Sequence, residues 1–233
     1  MKDRMADLNR GILQRFVQVM VILLIQAAVL FLSSWKPDWW AAWLYVGLYL
    51  VGICVGAPLM LRANPETIAE RGRARGMKDW DKVVGGLSAL MHMVGVLLVA
   101  GLDVRFAWTG RVELAIHIIG IAAFALGSVL FYWAMLTNAY FSTGVRIQEE
   151  RGHTVCTAGP YRFVRHPGYV AAMTQALALP LFLGSLWAFI PAGLAVLLLI
   201  LRTALEDRTL REELPGYEDY ARGVRYRLLP GVW

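Results

Sequence analysis

The sequence predicts an all-α, polytopic transmembrane protein with about five to six membrane helices, the last two forming a C-terminal hairpin. Three observations carry that expectation. First, 58% of the 233 residues are hydrophobic and only 17% are charged, with a mean hydropathy of +0.52, whereas a soluble domain carries about a quarter charged residues. Second, the charges sit in blocks between long uncharged stretches, the arrangement of a chain whose surface is mostly solvated by lipid. Third, Lys and Arg divide unevenly between alternate loops, as membrane insertion requires.

Six apolar stretches follow in order: Phe16–Ser33, Trp39–Leu61, Val83–Gly101, Val112–Thr137, Tyr169–Leu183 and Ser185–Leu201. The first four are long enough for a hydrocarbon core, which takes about 20 helical residues. The first ends in Ser33-Ser34-Trp35-Lys36-Pro37 without a small-x-small cleavage site, so it reads as a span and not as a signal peptide. Trp35, Trp39, Trp40 and Trp43 follow it as an interfacial aromatic belt. Gly184 alone separates the last two stretches, which therefore read as a tight hairpin. A fifteen-residue helix rises only about 22 Å, short of the far surface.

Twenty of the 23 Lys and Arg fall before the first span, after the second, after the fourth and in the tail; only Lys36, Arg105 and Arg111 lie opposite. Both termini are thereby expected in the cytoplasm. The same topology explains the net charge of +6, so no nucleic-acid partner is expected. Cys54 and Cys156 are too few and too far apart for a disulfide framework or a zinc site, and no metal is expected.

Three polar segments could carry chemistry. In the loop Asn138–Gly168, Thr157-Ala158-Gly159-Pro160 is a turn signal and Pro167 opens a helix with His166 at its cap. The orphan N–H groups of that helix end make an anion site; the bland alternative is a basic loop facing lipid headgroups. At the end of the last apolar run, Arg202 and Glu206 stand four apart on a helix that continues until Leu214-Pro215-Gly216. They read either as a surface ion pair or, because Arg202 lies at the edge of the bilayer, as a pair with a task. The third segment, Arg62–Lys82, reads as an amphipathic stretch lying in the interface or as a substrate lid. His92 and His117 read as satisfied or interfacial histidines. No phosphate-binding glycine loop and no nucleophile elbow is present.

Two of these segments carry a resemblance. His153-Thr154-Val155-Cys156-Thr157-Ala158-Gly159-Pro160-Tyr161 followed by Arg165-His166-Pro167-Gly168-Tyr169 resembles the H-x-x-V-T-x-G-x-Y…R-H-P-x-Y signature of the isoprenylcysteine carboxyl methyltransferase family. Glu206-Asp207-Arg208-Thr209-Leu210, then Pro215-Gly216-Tyr217-Glu218-Asp219-Tyr220, resembles that family's E-E-x-x-L…F-G-x-x-Y-x-x-Y tail. The likeness runs from Asn138 to Trp233. The N-terminal half matches only as apolar spans, though Asn64-Pro65-Glu66…Trp80-Asp81-Lys82 also looks like bacterial relatives. Three departures stand out: a shorter Gln148-to-His153 interval, Cys156 in an aliphatic position, and Asp207 in place of the second Glu.

The resemblance implies a membrane methyltransferase dependent on S-adenosylmethionine (SAM), with a cytoplasmic cofactor pocket between loop and tail. It divides the chain into residues 1–137, N-terminal spans with the cytoplasmic loop 62–82, and 138–233, the catalytic part, within one integrated membrane domain. Carried over by residue, Gln148, His153, Thr154, Val155, Cys156, Tyr161, His166, Pro167, Gly168 and Tyr169 would line the cofactor site. Glu206 would hold the SAM ammonium, and Arg202 would orient the acceptor, a carboxylate in the eukaryotic enzymes. The expected partners are membrane lipids and a lipidic or amphipathic methyl acceptor. The alternatives are an NADPH-dependent sterol-type membrane reductase and a non-catalytic membrane protein.

Overall fold

The computed structural model describes residues 2–73 and 76–233. Arg75 and the side chains of Lys2 and Arg4, which enter the charge split, lie outside the described residues. The elements are helices throughout: α1 (Lys2–Ser34), α2 (Trp40–Ala63), α3 (Pro65–Arg73), α4 (Asp79–Leu90), α5 (Val96–Phe106), α6 (Leu114–Thr137), α7 (Pro167–Leu183), α8 (Phe189–Glu213) and α9 (Tyr217–Gly223). A single π turn, Met91–Gly95, joins α4 to α5. The result is one apolar helix from Asp79 to Phe106.

Among the described residues, five helices are long and apolar enough to cross a membrane, and α7 is a shorter apolar helix. The chain is therefore an integral membrane protein of the expected class. The core lies where α1, α2, α5, α6, α7 and α8 meet, around Leu30, Tyr45, Leu97, Phe124, Leu179 and Phe182. Small residues set its tightest crossing. A Cβ on Gly120 would lie 2.2 Å from the backbone nitrogen of Phe182, and one on Gly127 would lie 3.1 Å from the Ala171 carbonyl oxygen. These two glycines on one face of α6 let α7 approach backbone to backbone, as membrane helices do in place of hydrophobic segregation.

The hairpin is present, and its tip is anchored by neighbouring elements. Gly184, at φ 74°, closes α7; its N–H donates to Leu181 O at 3.3 Å, and Ser185 N donates to Pro180 O at 2.8 Å. At the tip, Ser185 Oγ donates to Asp103 at 2.5 Å and Leu186 N to Thr109 Oγ1 at 3.0 Å. The tip is thus tied to the end of α5 and the loop after it. Lys36 joins the same end by donating to Val104 O at 2.9 Å. Trp35, Trp40, Trp43, Trp108 and Trp187 are exposed, and Trp108 and Trp187 meet edge to face. Trp39 is buried instead. His117 is satisfied by Phe182 O at 2.8 Å.

Within the segment Arg62–Lys82, the described helix α3 packs one face against α1. The helix buries Thr67, Ala69, Glu70, Arg71 and Gly72. Gly72 sits so close to α1 that a Cβ would come within 2.3 Å of Gly11 O, and Gln18 donates to Gly72 O at 2.8 Å. The early start of α1, fourteen residues before Phe16, supplies this face.

Candidate active site

A single carboxylate organises the region between loop and tail. Asp207 has 0% exposure and accepts from Arg165 Nε at 2.7 Å and Nη2 at 3.1 Å. Tyr217 OH donates to it at 3.0 Å, Arg227 Nε at 2.9 Å and Arg211 Nε at 3.2 Å. His166 Nε2 stands 3.3 Å away. Arg165 Nη1 also donates to Val224 O and Arg225 O, at 2.8 and 2.7 Å. The backbone amides of Arg165 and His166 bond Tyr226 O and Arg227 O, at 2.9 and 3.0 Å. The tail is thereby strapped across the start of α7. A buried carboxylate persists only with this many donors.

His166 caps α7 and Pro167 occupies its first turn, as the sequence predicts. The imidazole, however, turns into the Asp207 network and makes no cap hydrogen bond.

The second half of the site is held from the N-terminal side. Asp81, 2% exposed, receives Arg202 Nε at 2.6 Å and Nη2 at 2.9 Å. It also accepts Val145 N at 2.7 Å, and Lys78 N returns to Val145 O at 3.0 Å. Arg202 therefore does not pair with Glu206, as the four-residue spacing suggests. Glu206 instead accepts a short hydrogen bond from Tyr169 OH. Arg202 also donates to Thr143 O at 2.9 Å and lies over the Tyr169 ring at 5.4 Å. Its Nη1 has no hydrogen-bonded partner among the described residues.

These groups surround a cavity of about 420 Å³, within the range of roughly 300–1,000 Å³ typical of small-molecule sites. Of the residues expected in the site, His153, Thr154, Val155, Cys156, Tyr161, His166, Gly168, Tyr169, Arg202 and Glu206 line it. Pro167 and Gln148 are not among its lining residues. Gln148 is 1% exposed and braces the loop, donating to Tyr140 O at 2.7 Å and accepting from Arg151. Gly168 has a steric role: a Cβ there would lie 2.7 Å from the Phe141 ring.

Burial sets the charge state of the loop. The His153 imidazole is pushed down to about 4, first by burial and then by Arg151 and Arg146. It stacks on Tyr140 at 4.4 Å between ring centroids and is neutral at pH 7. Burial raises the Cys156 thiol and the Tyr161, Tyr217 and Tyr220 phenols, so all four keep their protons.

Sequence reasoning missed Asp81, Asp207 as the hub, and the cavity face of His92, which the π turn presents. For Asp81 one signal was available: a carboxylate at the mouth of an apolar span has a partner or a task.

Residues 118–212, from within α6 to the end of α8, match the model of the isoprenylcysteine carboxyl methyltransferase (ICMT) family. Over this stretch, less than half of its length, the chain is similar to that family. The matched stretch contains the loop, α7, Arg202, Glu206 and Asp207, and leaves α1 to α5 outside. A search of curated proteins found no match.

Proposed function

We propose that the chain is a SAM-dependent methyltransferase acting on a lipidic or amphipathic acceptor, with residues 138–233 as its catalytic part. The observation that carries this reading is the convergence of the loop, the start of α7 and Glu206 on one cavity that continues between apolar helices. The lining fits SAM chemically. Glu206 is a carboxylate whose one hydrogen bond among the described residues comes from Tyr169, so it has lone pairs for an ammonium group. Thr154, Val155 and Cys156 stand on the same wall, and Leu210, Leu214 and Tyr217 line it as well.

Bound SAM would supply a methyl group activated by its sulfonium. The protein's contribution is then placement and exclusion of water more than acid–base help. Glu206 fixes one end of the donor. Tyr169, held by Glu206, and Arg202, held by Asp81, frame the place where the acceptor nucleophile must arrive. The Nη1 group of Arg202 is left to orient it. His153, being neutral, adds no positive charge beside a sulfonium.

The charge split supports a cytoplasmic position for both termini and the cavity; reporter fusions at Asp7 and Trp233 should both read cytoplasm, and an external signal from either would overturn this sidedness. The reaction itself is tested by incubating purified protein with methyl-labelled SAM and a membrane lipid extract. Label should pass into an organic-soluble product. Labelled SAM that binds but never yields such a product would contradict a lipidic acceptor.

A further inference from the structure

The cavity has a second polar end that the methyl-transfer machinery does not use. It is built by α1 and α3, outside the stretch matched to the family. Arg71 is only 8% exposed, yet among the described residues its guanidinium makes one hydrogen bond, to Ser142 O at 3.2 Å. The rings of Phe131 and Phe141 lie beneath it, at 5.8 and 5.2 Å. No carboxylate pairs with it among the described residues. Arg15, one close helix crossing away, has no hydrogen bond or ion pair at all among them. Both side chains line the main cavity and also a smaller one of about 300 Å³ beside it. They are close enough that Arg15 helps burial push the Arg71 guanidinium down, to about 9.

Two like charges facing one cavity repel each other and cost desolvation unless an anion joins them. The carboxylates nearby are committed: Asp81 to Arg202, and Glu70 to Arg146 at 2.5 Å. Arg202 itself spends Nε and both bonds of Nη2 on Asp81 and Thr143. Beyond the arginine pair the walls are apolar, with Ile22, Ala89, Met93 and Leu199.

From this we infer that Arg15 and Arg71 form a clamp for an anionic group of the acceptor, making the acceptor an anionic amphiphile whose chain runs between α1, α4 and α8. This rests on the methyltransferase reading for the identity of the ligand as acceptor, but the clamp itself is a binding site and can be tested without turnover. Specificity for the acceptor would then be set by α1 and α3, while the motif-bearing part of the chain handles the donor. The Phe131 and Phe141 rings hold the Arg71 plane so that its remaining donors face the anion, the geometry that favours Arg over Lys for carboxylate or phosphate.

The test uses the full chain in a neutral maltoside detergent and three probes of equal chain length: dodecanoate, dodecyl phosphate and dodecanol. Affinity is read from tryptophan fluorescence and, independently, from the shift in thermal unfolding. At least one anionic probe should bind roughly 10-fold or more tighter than dodecanol, the scale of a charge-assisted contact, and the tighter of the two identifies carboxylate or phosphate as the group. Arg15→Gln and Arg71→Gln should each abolish most of that preference, while SAM affinity by calorimetry changes less than about twofold, as expected for a separate site. If Arg71→Gln does not fold, Arg15→Gln and Arg71→Lys carry the test, since Arg15 holds no structural bond. Equal binding of all three probes, or an anionic preference that survives in Arg15→Gln, would overturn the clamp. Failure of the wild type to bind SAM, with the probe preference intact, would instead count against the methyltransferase reading alone.

Discussion

Between α6 and the tail the cavity is lined by residues close together in sequence, and their scaffold converges on one buried carboxylate, Asp207. Between α1 and α4 it is lined by isolated residues, Arg15, Arg71 and Gly85, and the buried carboxylate Asp81 there reaches 121 positions along the chain to Arg202. The first region is a compact network in which three arginines, a histidine and a tyrosine converge on a single acceptor. The second spends its carboxylates Asp81 and Glu70 on Arg202 and Arg146 and leaves Arg15 and Arg71 on the cavity wall without a carboxylate partner among the described residues. The difference separates a part built to hold its own shape from a part built to receive something. It also divides the labour proposed above, donor on one side and acceptor on the other.

The comparison breaks most sharply at Asp207. Asp207→Ala would strand Arg165, whose side chain is 2% exposed, without its ion partner. Removing one member of a buried pair costs about 3–5 kcal/mol, so the variant should lose folded protein in detergent by thermal unfolding. A variant as stable as the wild type would mean that the backbone contacts of Arg165 with Val224 and Arg225 carry the tail alone.

A smaller and more selective loss is expected at Asp81. Asp81→Asn keeps the shape and an acceptor for Val145 N but removes the charge that immobilises Arg202. Methyl transfer should fall about 100-fold, the cost of roughly 1 Å of misplacement at a reacting centre. SAM affinity should stay within a few-fold. Single-turnover rates and calorimetry on the same preparation separate the two. A parallel fall in both would make Asp81 a support of the loop and not a positioning residue for Arg202.

These two carboxylates also mark what the sequence makes legible. The spans, the hairpin at Gly184, the helix opening at Pro167 and the run of α8 to Leu214 follow from local patterns of apolar length, glycine and proline, and the structure bears each of them out. The loop residues His153 to Cys156 and Tyr161 stand together in a motif, and they line one cavity. What local pattern could not supply was pairing. Arg202 has Glu206 one turn away on the same helix, and spacing favours that partner. The fold brings Asp81 to it instead, because α4 packs on α8 and Val145 ties the loop to the same carboxylate. Arg71 reads in sequence as one charge among many in a basic stretch; the close α1–α3 contact and the distant Phe131 and Phe141 rings enclose it. Gln148 carried the expectation of a cofactor contact, yet its amide is used up on Tyr140 and Arg151.

The mildest effect concerns His153. Its imidazole is held near 4 when folded, against about 6.5 in an unfolded chain. The unfolded state therefore binds more protons than the folded one between those values, and stability falls as pH drops through that window. Above pH 6.5 the contribution is fully present; below about 4 nothing further is lost at this residue. Thermal unfolding of the wild type should weaken on acidification from pH 7 to 4 more than that of His153→Gln. Parallel curves would show that the loop admits a charged imidazole, and so a less enclosed donor site.

The most direct test of the central claim is calorimetry of SAM binding to the wild type and to Glu206→Gln, with NADPH titrated into both as a control. Gln keeps the size of the side chain and its bond with Tyr169 but not the charge that would meet the ammonium. Loss of a charge-assisted hydrogen bond is worth roughly 1.5–3 kcal/mol, about 10- to 150-fold in affinity. The account predicts SAM binding to the wild type, a loss of that size in well-folded Glu206→Gln, and no NADPH binding to either. Unchanged SAM affinity in the variant would contradict the role of Glu206, and NADPH binding without SAM binding would contradict the proposed chemistry itself.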